Sequence, residues 1–388
     1  MKESPQRLLV ITELFLPTKG GTAVWFDEVY RRLGDKDIHV VTAAVDGAEA
    51  HDADHPNTIH RLNLKRSPWL RPESLAMYLK LLCKCLVLML THRFDAVHAG
   101  RVLPEGLVGW CVARLFGKPL LIYAHGEEIT TWRQSGKFRA MCFAYRHADT
   151  VVANSEFTRD ELLKIGVSAQ RIVLIHPGVD VERFRPGLPC DDLRAQLGCA
   201  RSDQLLLSVG RLSRRKGFDQ TVRSVARLLP EFPGLHYALV GIGEDEQYLL
   251  DLARECGVEQ RVHLLGHVSA EDLPRWYNAA DIFVMPNREI DGDTEGFGMV
   301  FIEASACGTP VVAGDAGGTA SSVSEGVNGY RVDGTSVDAI AHALGVFLDD
   351  PGLRARMGEA ACAWAAQGFS WDSVARHTRA LAGAGTPR

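Results

Sequence analysis

At 388 residues the chain is too long for one ordinary hydrophobic core, so two domains are expected. A hydrophobic fraction of 46% and a charged fraction of 23% are those of a soluble globular protein. The net charge of −5 and the lack of a recognition motif set nucleic acid aside as a partner. Nine cysteines, an odd number with no CxxC, read as thiols in a reducing compartment, and no metal-ligand spacing stands out among the fourteen histidines.

The N-terminus runs from Met1–Arg7 straight into the apolar stretch Leu8–Ile11, without a signal-peptide pattern. The longest apolar run, Leu75–Leu90, is interrupted by Lys80 and Lys84. At about 1.5 Å per residue it falls short of a bilayer core of about 30 Å. A cytoplasmic protein is therefore expected. Its charge is uneven: residues 1–185 hold 25 Lys+Arg against 21 Asp+Glu, and the remainder 18 against 27. Much of the positive charge falls in segment 60–93, at Arg61, Lys65, Arg66, Arg71, Lys80, Lys84 and Arg93, with Trp69 among them. This segment is either a peripheral contact for an anionic membrane, on the inner face of the cell membrane, or a solvated face above a buried helix.

In chain order, short β-branched runs alternate with helical patterns, which argues an α/β fold with parallel sheets. Strands are predicted at Leu8–Ile11, His39–Thr42, Ala96–His98, Leu120–Tyr123, Thr150–Ala153 and Val173–Ile175, and helices at Ala23–Leu33, Leu75–Leu90, Leu103–Phe116 and Thr158–Ile165. Thr158–Glu161 has capping-box spacing, with Ser155 as the alternative cap. The segment from His176 to Gly187, with two prolines and two glycines besides its charges, reads as a linker. A second series follows, with strands at Leu205–Val209, Tyr237–Val240, Val262–Leu264, Ile282–Met285, Pro310–Val312 and Gly329–Val332. Its helices are predicted at Phe218–Leu229, Glu246–Cys256, Ala270–Ala279 and Met299–Ala306, then around Ser336–Leu348, Leu353–Gln367 and Trp371–Leu381. Two successive Rossmann-like units are expected, with ligands beyond the carboxyl ends of their strands and the site in a cleft between them.

The most informative stretch is Glu295-Gly-Phe-Gly-Met-Val-Phe-Ile-Glu303. A Gly-x-Gly turn runs into a helix start at Met299, where free amides and the helix dipole make a seat for phosphate. Glu295 precedes the helix and Glu303 lies about one turn inside it. An acid on each side of a phosphate seat suits the hydroxyl-rich groups that flank the diphosphate of a sugar nucleotide. In Val209-Gly210-Arg211-Leu-Ser-Arg214-Arg215-Lys216-Gly217, Arg211 and Lys216 straddle a turn and could neutralise a diphosphate leaving group, with Arg214 and Arg215 as solvated neighbours.

Pro17–Thr22 contains Gly20 and Gly21, which let backbone approach a ligand closely; Lys19 beside them reads as solvated. His125 follows a strand, where it serves either as a satisfied structural histidine or beside a transferred sugar. Gly241-Ile-Gly243-Glu-Asp-Glu246 is half a dinucleotide fingerprint, and its acids would repel a pyrophosphate. No GxxxxGK[ST], GxSxG or HExxH occurs.

Jointly, Gly20–Gly21, His125, Val209-Gly-Arg, Lys216-Gly, Gly266-His-Val268 and the paired glutamates resemble glycosyltransferase family 4, the retaining GT-B enzymes, over nearly the whole chain. That resemblance implies an acceptor-binding Rossmann-like domain at 1–180 and a nucleotide-sugar domain at 181–368. It also implies a C-terminal helix at 369–388 that crosses back to the first domain. Arg211 and Lys216 would bind the donor diphosphate, with Gly210 beside them. Glu295 and the Gly296–Phe297–Gly298 backbone would hold the sugar, and the Met299 and Val300 amides would cap phosphate. Glu303 would bind ribose, the backbone around Val268 the base, Gly20 and Gly21 the phosphates, and His125 the sugar. Transfer would proceed with retention and without metal or other cofactor, the nucleotide sugar being a co-substrate.

Within the family, Asp293–Ala304 with Val312–Gly318 resembles the bacterial phosphatidylinositol mannosyltransferases. This favours GDP-mannose, then a UDP-sugar, with a lipid-linked or glycan acceptor in envelope or polysaccharide synthesis. A sugar-nucleotide epimerase, an NAD-dependent oxidoreductase and a non-catalytic binding partner are the alternatives.

Overall fold

The computed structural model describes residues 6–65, 74–132 and 136–383. The chain forms two compact units, one of Met1–Pro177 with Trp371–Arg388, the other of Gly178–Ser370.

The first unit carries seven parallel strands: β1 (Leu8–Ile11), β2 (His39–Ala43), β3 (Thr58–Leu62), β4 (Ala96–Ala99), β5 (Leu120–Ala124), β6 (Thr150–Ala153) and β7 (Ile172–Leu174). They lie in the order β3-β2-β1-β4-β5-β6-β7. Its helices begin with α1 (Gly21–Leu33), α2 (Ala48–Asp54), α3 (Leu75–Thr91) and α4 (Leu107–Phe116), followed by α5 (Glu127–Thr131), α6 (Gly136–His147) and α7 (Glu156–Lys164). Every residue of β1 is fully buried, and Leu9 and Ile11 join a cluster with Leu81 and Cys85 of α3, Val112 of α4 and Tyr145 of α6. Leu8 and Val10, pointing the other way, are equally covered, so β1 reads as a continuous apolar run without alternation.

The second unit carries β8 (Gln204–Val209), β9 (Leu235–Val240), β10 (Val262–Gly266), β11 (Ile282–Met285), β12 (Val311–Gly314) and β13 (Gly329–Val332), in the order β10-β9-β8-β11-β12-β13 and again all parallel. Its helices are α8 (Asp191–Gln196), α9 (Phe218–Leu228), α10 (Glu246–Glu255), α11 (Leu273–Ala279), α12 (Met299–Ala306), α13 (Val337–Asp349) and α14 (Pro351–Gly368). The last helix, α15 (Trp371–Gly383), belongs to the first unit and packs on α1. Arg32 bonds Asp372 at 2.9 Å, and the Arg379 guanidinium donates to the Arg32 and Leu33 carbonyls, both at 2.8 Å. In each sheet the strand order reverses beside the first strand, between β1 and β4 and between β8 and β11. The loops after β1 and β8 therefore leave the sheets at the point where doubly wound folds take ligands.

Every predicted strand is present, and the predicted helices are too, with shifted ends. Two shifts have clear causes. Pro104 prevents the expected Leu103–Phe116 helix from running through, and a π-turn at Val102–Gly106 precedes α4. Pro274 stands in the first turn of α11, which starts at Leu273 and not at Ala270. Ser155 caps α7, its hydroxyl accepting from the Thr158 amide at 3.2 Å, so the Thr158–Glu161 box is not the cap. The edge strand β3 and the helices α2, α5, α6 and α8 were not signalled. All five β3 residues are only partly buried, so no apolar run marks it.

Candidate functional site

The turn after β8 is a single 3-10 turn, Arg214–Lys216. About three residues per turn send three successive side chains in three directions. Arg214 stacks over the Tyr248 ring, 3.2 Å from its centroid, and pairs with Asp245 at 3.2 Å. Arg215 reaches Asp293 and Glu295, each at 3.2 Å. Lys216 forms a short ion pair with the same Glu295 oxygen. Arg215 is thus not a solvated neighbour. Lys216 and Glu295 are both nearly buried, at 11% and 12% side-chain exposure, while Arg211 is 74% exposed and pairs with Glu244 at 3.0 Å. Burial works to raise the Glu295 carboxyl, but Lys216 and Arg215 together outweigh it and hold the group below the usual carboxylate range.

Close backbone packing fixes this arrangement. A Cβ on Gly217 would lie 2.0 Å from the Pro286 carbonyl oxygen, so only glycine closes the turn there. The Arg288 amide donates to the Arg215 carbonyl at 2.8 Å, and the Arg288 guanidinium is held bidentately by Asp219 at 3.0 and 2.9 Å. Gly210 lies against the Lys216 stem. The Gly241-Ile-Gly243 glycines have a packing role: Cβ atoms there would sit 1.8 Å from the Gly210 oxygen and 2.3 Å from the Leu212 oxygen. The half fingerprint is a close loop–loop contact.

Glu295 leads into the start of α12. Gly298 caps the helix in a left-handed conformation (φ 85°), and a Cβ there would lie 3.5 Å from Glu295 Cγ and 2.5 Å from the Phe301 ring. The Met299 and Val300 amides have no intrahelical acceptor, and the first turn carries no acid. Gly296 lies in this turn, and its carboxyl-side neighbour Phe297 buries its ring against Phe369, so Phe297 offers only backbone to a ligand. Gly318 donates to the Glu295 carbonyl at 2.7 Å and braces the turn. Glu303 accepts from the Tyr277 hydroxyl at 2.8 Å; burial raises its carboxyl, against that bond and Arg183. Val268 follows β10, partly exposed against the core. Arg215, Asp293, Tyr277 and the Arg288–Asp219 brace were missed. The Arg-Arg-Lys run was a signal for Arg215, whereas nothing in the spacing marked Tyr277.

In the first unit, Gly20 and Gly21 are exposed at the start of α1, whose first turn also lacks an acid. His125 follows β5 with its Nε2 2.9 Å from the Gly100 carbonyl, which can only accept, so Nε2 carries the proton. Its amide donates to Glu128 at 3.1 Å, and the Trp25 and Phe26 rings meet the imidazole edge-on.

The basic side chains of segment 60–93 that the structure describes differ in exposure. Arg61 is turned inward, paired with Asp52 at 2.7 Å. Lys80 donates to the Asn63 carbonyl at 2.7 Å but stays exposed, as do Lys65 and Arg93. Arg66, Trp69 and Arg71 lie outside the described residues. All nine cysteines are free, and burial pushes the Cys85 thiol up to about 12. No helix among the described residues is long and apolar enough to cross a membrane.

Two parallel Rossmann-like units, one with a cation–carboxylate cluster beside a bare helix start, define a GT-B glycosyltransferase. The family described as "Glycosyltransferase Family 4" matches residues 19–183 and "Glycosyl transferases group 1" matches residues 191–364. The chain is 32% identical over 372 residues to a GDP-mannose-dependent alpha-(1-6)-phosphatidylinositol monomannoside mannosyltransferase of Mycolicibacterium smegmatis, covering 94% of this chain and 95% of the relative. It is also 32% identical over 383 residues to a D-inositol 3-phosphate glycosyltransferase of Thermobifida fusca, covering 92% and 86%. Anabaena HepE, solved in complex with UDP, superposes with a TM-score of 0.82 at 23% identity, covering 97% of this chain and 99% of that one. The chain belongs to glycosyltransferase family 4 and is a glycosyltransferase, which removes the epimerase and oxidoreductase alternatives.

Proposed function

We propose that the chain moves a hexose, mannose from GDP-mannose before a UDP-sugar, to a lipid-linked or glycan acceptor of the bacterial envelope, with retention and without a metal ion. One observation carries the donor site: Lys216 and Arg215 converge on Glu295 beside the open amides at the start of α12. A diphosphate there would take the cations and amides, freeing Glu295 for sugar hydroxyls. Glu303, with one oxygen committed to Tyr277, would offer the other to ribose.

As the bond from C1 to the phosphate oxygen breaks, Lys216 and the neighbouring arginines neutralise the leaving diphosphate. The acceptor hydroxyl bonds C1 from the same face, and its proton passes to the departing phosphate oxygen. Glu295 stabilises positive charge developing on the sugar. By the family pattern, His125 and the Gly20–Gly21 turn serve the same donor. Support for GDP-mannose comes from the mycobacterial relatives' donor, and support for UDP from the HepE complex.

Incubation of the purified chain with GDP-mannose or UDP-glucose and phosphatidylinositol-containing lipid, with and without EDTA, tests this reading. An α-linked glycolipid formed from GDP-mannose at the same rate in EDTA is expected. A β-linked product, or activity abolished by EDTA and restored by a divalent ion, would overturn the mechanism. Transfer from UDP-glucose alone would overturn the donor.

We further propose that α3 rests on an anionic bilayer surface. Leu75, Leu79, Val87 and Leu90 are exposed along it, with Lys80 exposed among them and Lys84 partly so. An apolar stripe flanked by cations is the pattern of an interfacial helix. Leu79→Glu with Val87→Glu should abolish sedimentation with phosphatidylglycerol vesicles, while Arg61→Glu, at an inward residue, should leave sedimentation of the folded protein unchanged. Undiminished sedimentation of the double variant would refute the docking face.

A further inference from the structure

The loop from Thr12 to Gly20 joins β1 to α1 and ends in the exposed glycine turn. Its first half is fastened from an unexpected side. Arg61, on the edge strand β3, donates through Nη2 to the Leu16 carbonyl and through Nη1 to the Ala43 carbonyl at 3.1 Å. Its guanidinium carbon stands 6.0 Å from the Phe15 ring centre. Nε and Nη2 also grip both oxygens of Asp52 in α2, at 2.9 and 2.7 Å. From Asp52 the chain of contacts continues. His51 Nδ1 is 3.1 Å from Asp52 Oδ1, and His51 Nε2 is 2.8 Å from Oδ1 of Asp27, a fully buried carboxylate in α1. Phe15, also fully buried, meets the rings of His51 and His55 edge-on, with centroids 6.0 and 5.4 Å away. The start of the loop and the helix at its end are thus tied to α2 by one line of groups.

We propose that Arg61, Asp52, His51 and Asp27 form a clasp that positions the Gly20–Gly21 turn for transfer, with Arg61 and His51 as positioning residues. The proposal rests on the donor reading of that turn given above. Arg61 suits the role because only a planar fork can serve a carboxylate and two carbonyls at once. His51 faces a carboxylate from each nitrogen, Asp52 from Nδ1 and Asp27 from Nε2, so it links α2 to α1. The titratable and charged groups around it are Asp27, Asp52, His55 (Nε2 3.3 Å from Asp27), Arg31 (3.3 Å from Asp27) and Arg61.

Asp27, His51 and His55 also lie close enough to hold a metal ion. An ion would need His55 Nε2 bare. Nδ1 of His55, however, accepts from the Asn57 amide at 3.2 Å, which places the ring proton on Nε2. In that tautomer Nε2, buried 3.3 Å from Asp27 Oδ1 without a hydrogen-bond partner, is not bare for an ion, and the line is read as hydrogen-bonded.

The test compares the full chain with Arg61→Met, Arg61→Lys and Asp52→Asn, the last nearly isosteric in case the first fails to fold. Three quantities are read: hydrogen exchange of residues 13–22, GDP or UDP affinity, and turnover of the sugar nucleotide that the unaltered enzyme uses. The expected result is at least tenfold faster exchange in that segment. Nucleotide affinity should stay within twofold and turnover should fall at least tenfold, with Arg61→Lys unable to restore it. Unchanged exchange would overturn the clasp, whatever the turn binds. Faster exchange with full turnover would keep the clasp but overturn its positioning role and the donor reading of the turn. One equivalent of zinc that stabilises the enzyme, with the effect lost in His51→Gln, would show an ion in place of the hydrogen bonds.

Discussion

The two sheets end in loops of different chemistry. After β8, the second unit gathers Arg215 and Lys216 on Glu295 and Asp293, with Arg211 on Glu244 and Arg214 on Asp245. After β1 and β5, the first unit offers an open glycine turn and a histidine whose ring nitrogen is committed to a backbone carbonyl. One fold thus supplies a cation–carboxylate cluster at one switch point, and an open turn with a backbone-anchored histidine at the other. The difference teaches that the cost of losing a residue should depend on which unit it sits in. Charge aimed at a leaving diphosphate acts where charge changes most, and shape acts on approach and orientation.

The largest effect should come from the charged pair. Lys216→Ala removes the cation proposed to meet the diphosphate and leaves a nearly buried carboxylate short of its partner. Turnover should fall by about 10² to 10³, the scale for a preorganised group at developing charge. Glu295→Gln should cost a similar factor in turnover while nucleotide affinity holds or rises, since the competing acid is gone. Steady-state kinetics with a parallel nucleotide titration separate the two. If His125→Ala costs more than Lys216→Ala, the contrast between the units is reversed.

Most of the framework was legible because the central strands of both sheets are buried on both faces, and such strands are written as apolar runs. What escaped lies where that pressure is weak. The β3 sequence Thr-Ile-His-Arg-Leu is half exposed at a sheet edge, and its Arg61 looked like surface charge because its partners, Leu16, Ala43 and Asp52, are distant in sequence. In the site, Glu295 and Glu303 stand out from their spacing around the start of α12, and Lys216 from its turn after β8. Arg215 was discounted as one of three consecutive cations, since one-dimensional spacing does not tell which faces Glu295. Tyr277 meets Glu303 only through the tertiary fold, from α11 to α12.

A smaller effect separates two arginines of the same turn. Arg211 is exposed and, among the described residues, paired with Glu244; an exposed pair of this kind is worth about 0 to 1 kcal/mol, so it yields readily to a ligand. Arg215 is fixed from its side chain by Glu295 and Asp293 and from its backbone by Arg288. Glu244→Gln should therefore leave turnover within about twofold, whereas Arg215→Ala should lower it about tenfold and Arg211→Ala should mainly weaken nucleotide binding, on the scale of one charge-assisted hydrogen bond. Calorimetric titration of GDP against the three variants checks the order. An Arg215→Ala enzyme with unaltered turnover would make Arg215 a scaffold for Glu295 only.

The smallest effect distinguishes the two glutamates of the same motif through pH. The Glu295 carboxyl is held below its ordinary value of 4.5 by Lys216 and Arg215 against the opposing effect of burial. Its stabilising contribution is complete above that value and is lost as pH falls through the lower, folded one. Glu303 is raised above 4.5 by burial, so its ionised form costs stability, and the cost grows as pH rises from 4.5 through the folded value. Glu295→Gln should thus flatten the loss of Tm on acidification below about pH 4.5, while Glu303→Gln should raise Tm near neutrality by a few degrees, about 2–4 °C for each kcal/mol in a unit of this size. Tyr277→Phe removes the hydroxyl that favours the ionised Glu303, so it should steepen the decline above pH 4.5 that Glu303→Gln abolishes. Thermal melts of the three variants from pH 3 to 7.5 decide it. If Glu303→Gln lowers Tm at neutral pH, the Glu303 carboxylate is a net stabiliser of the empty enzyme, and its second oxygen has a protein partner in place of a waiting ribose.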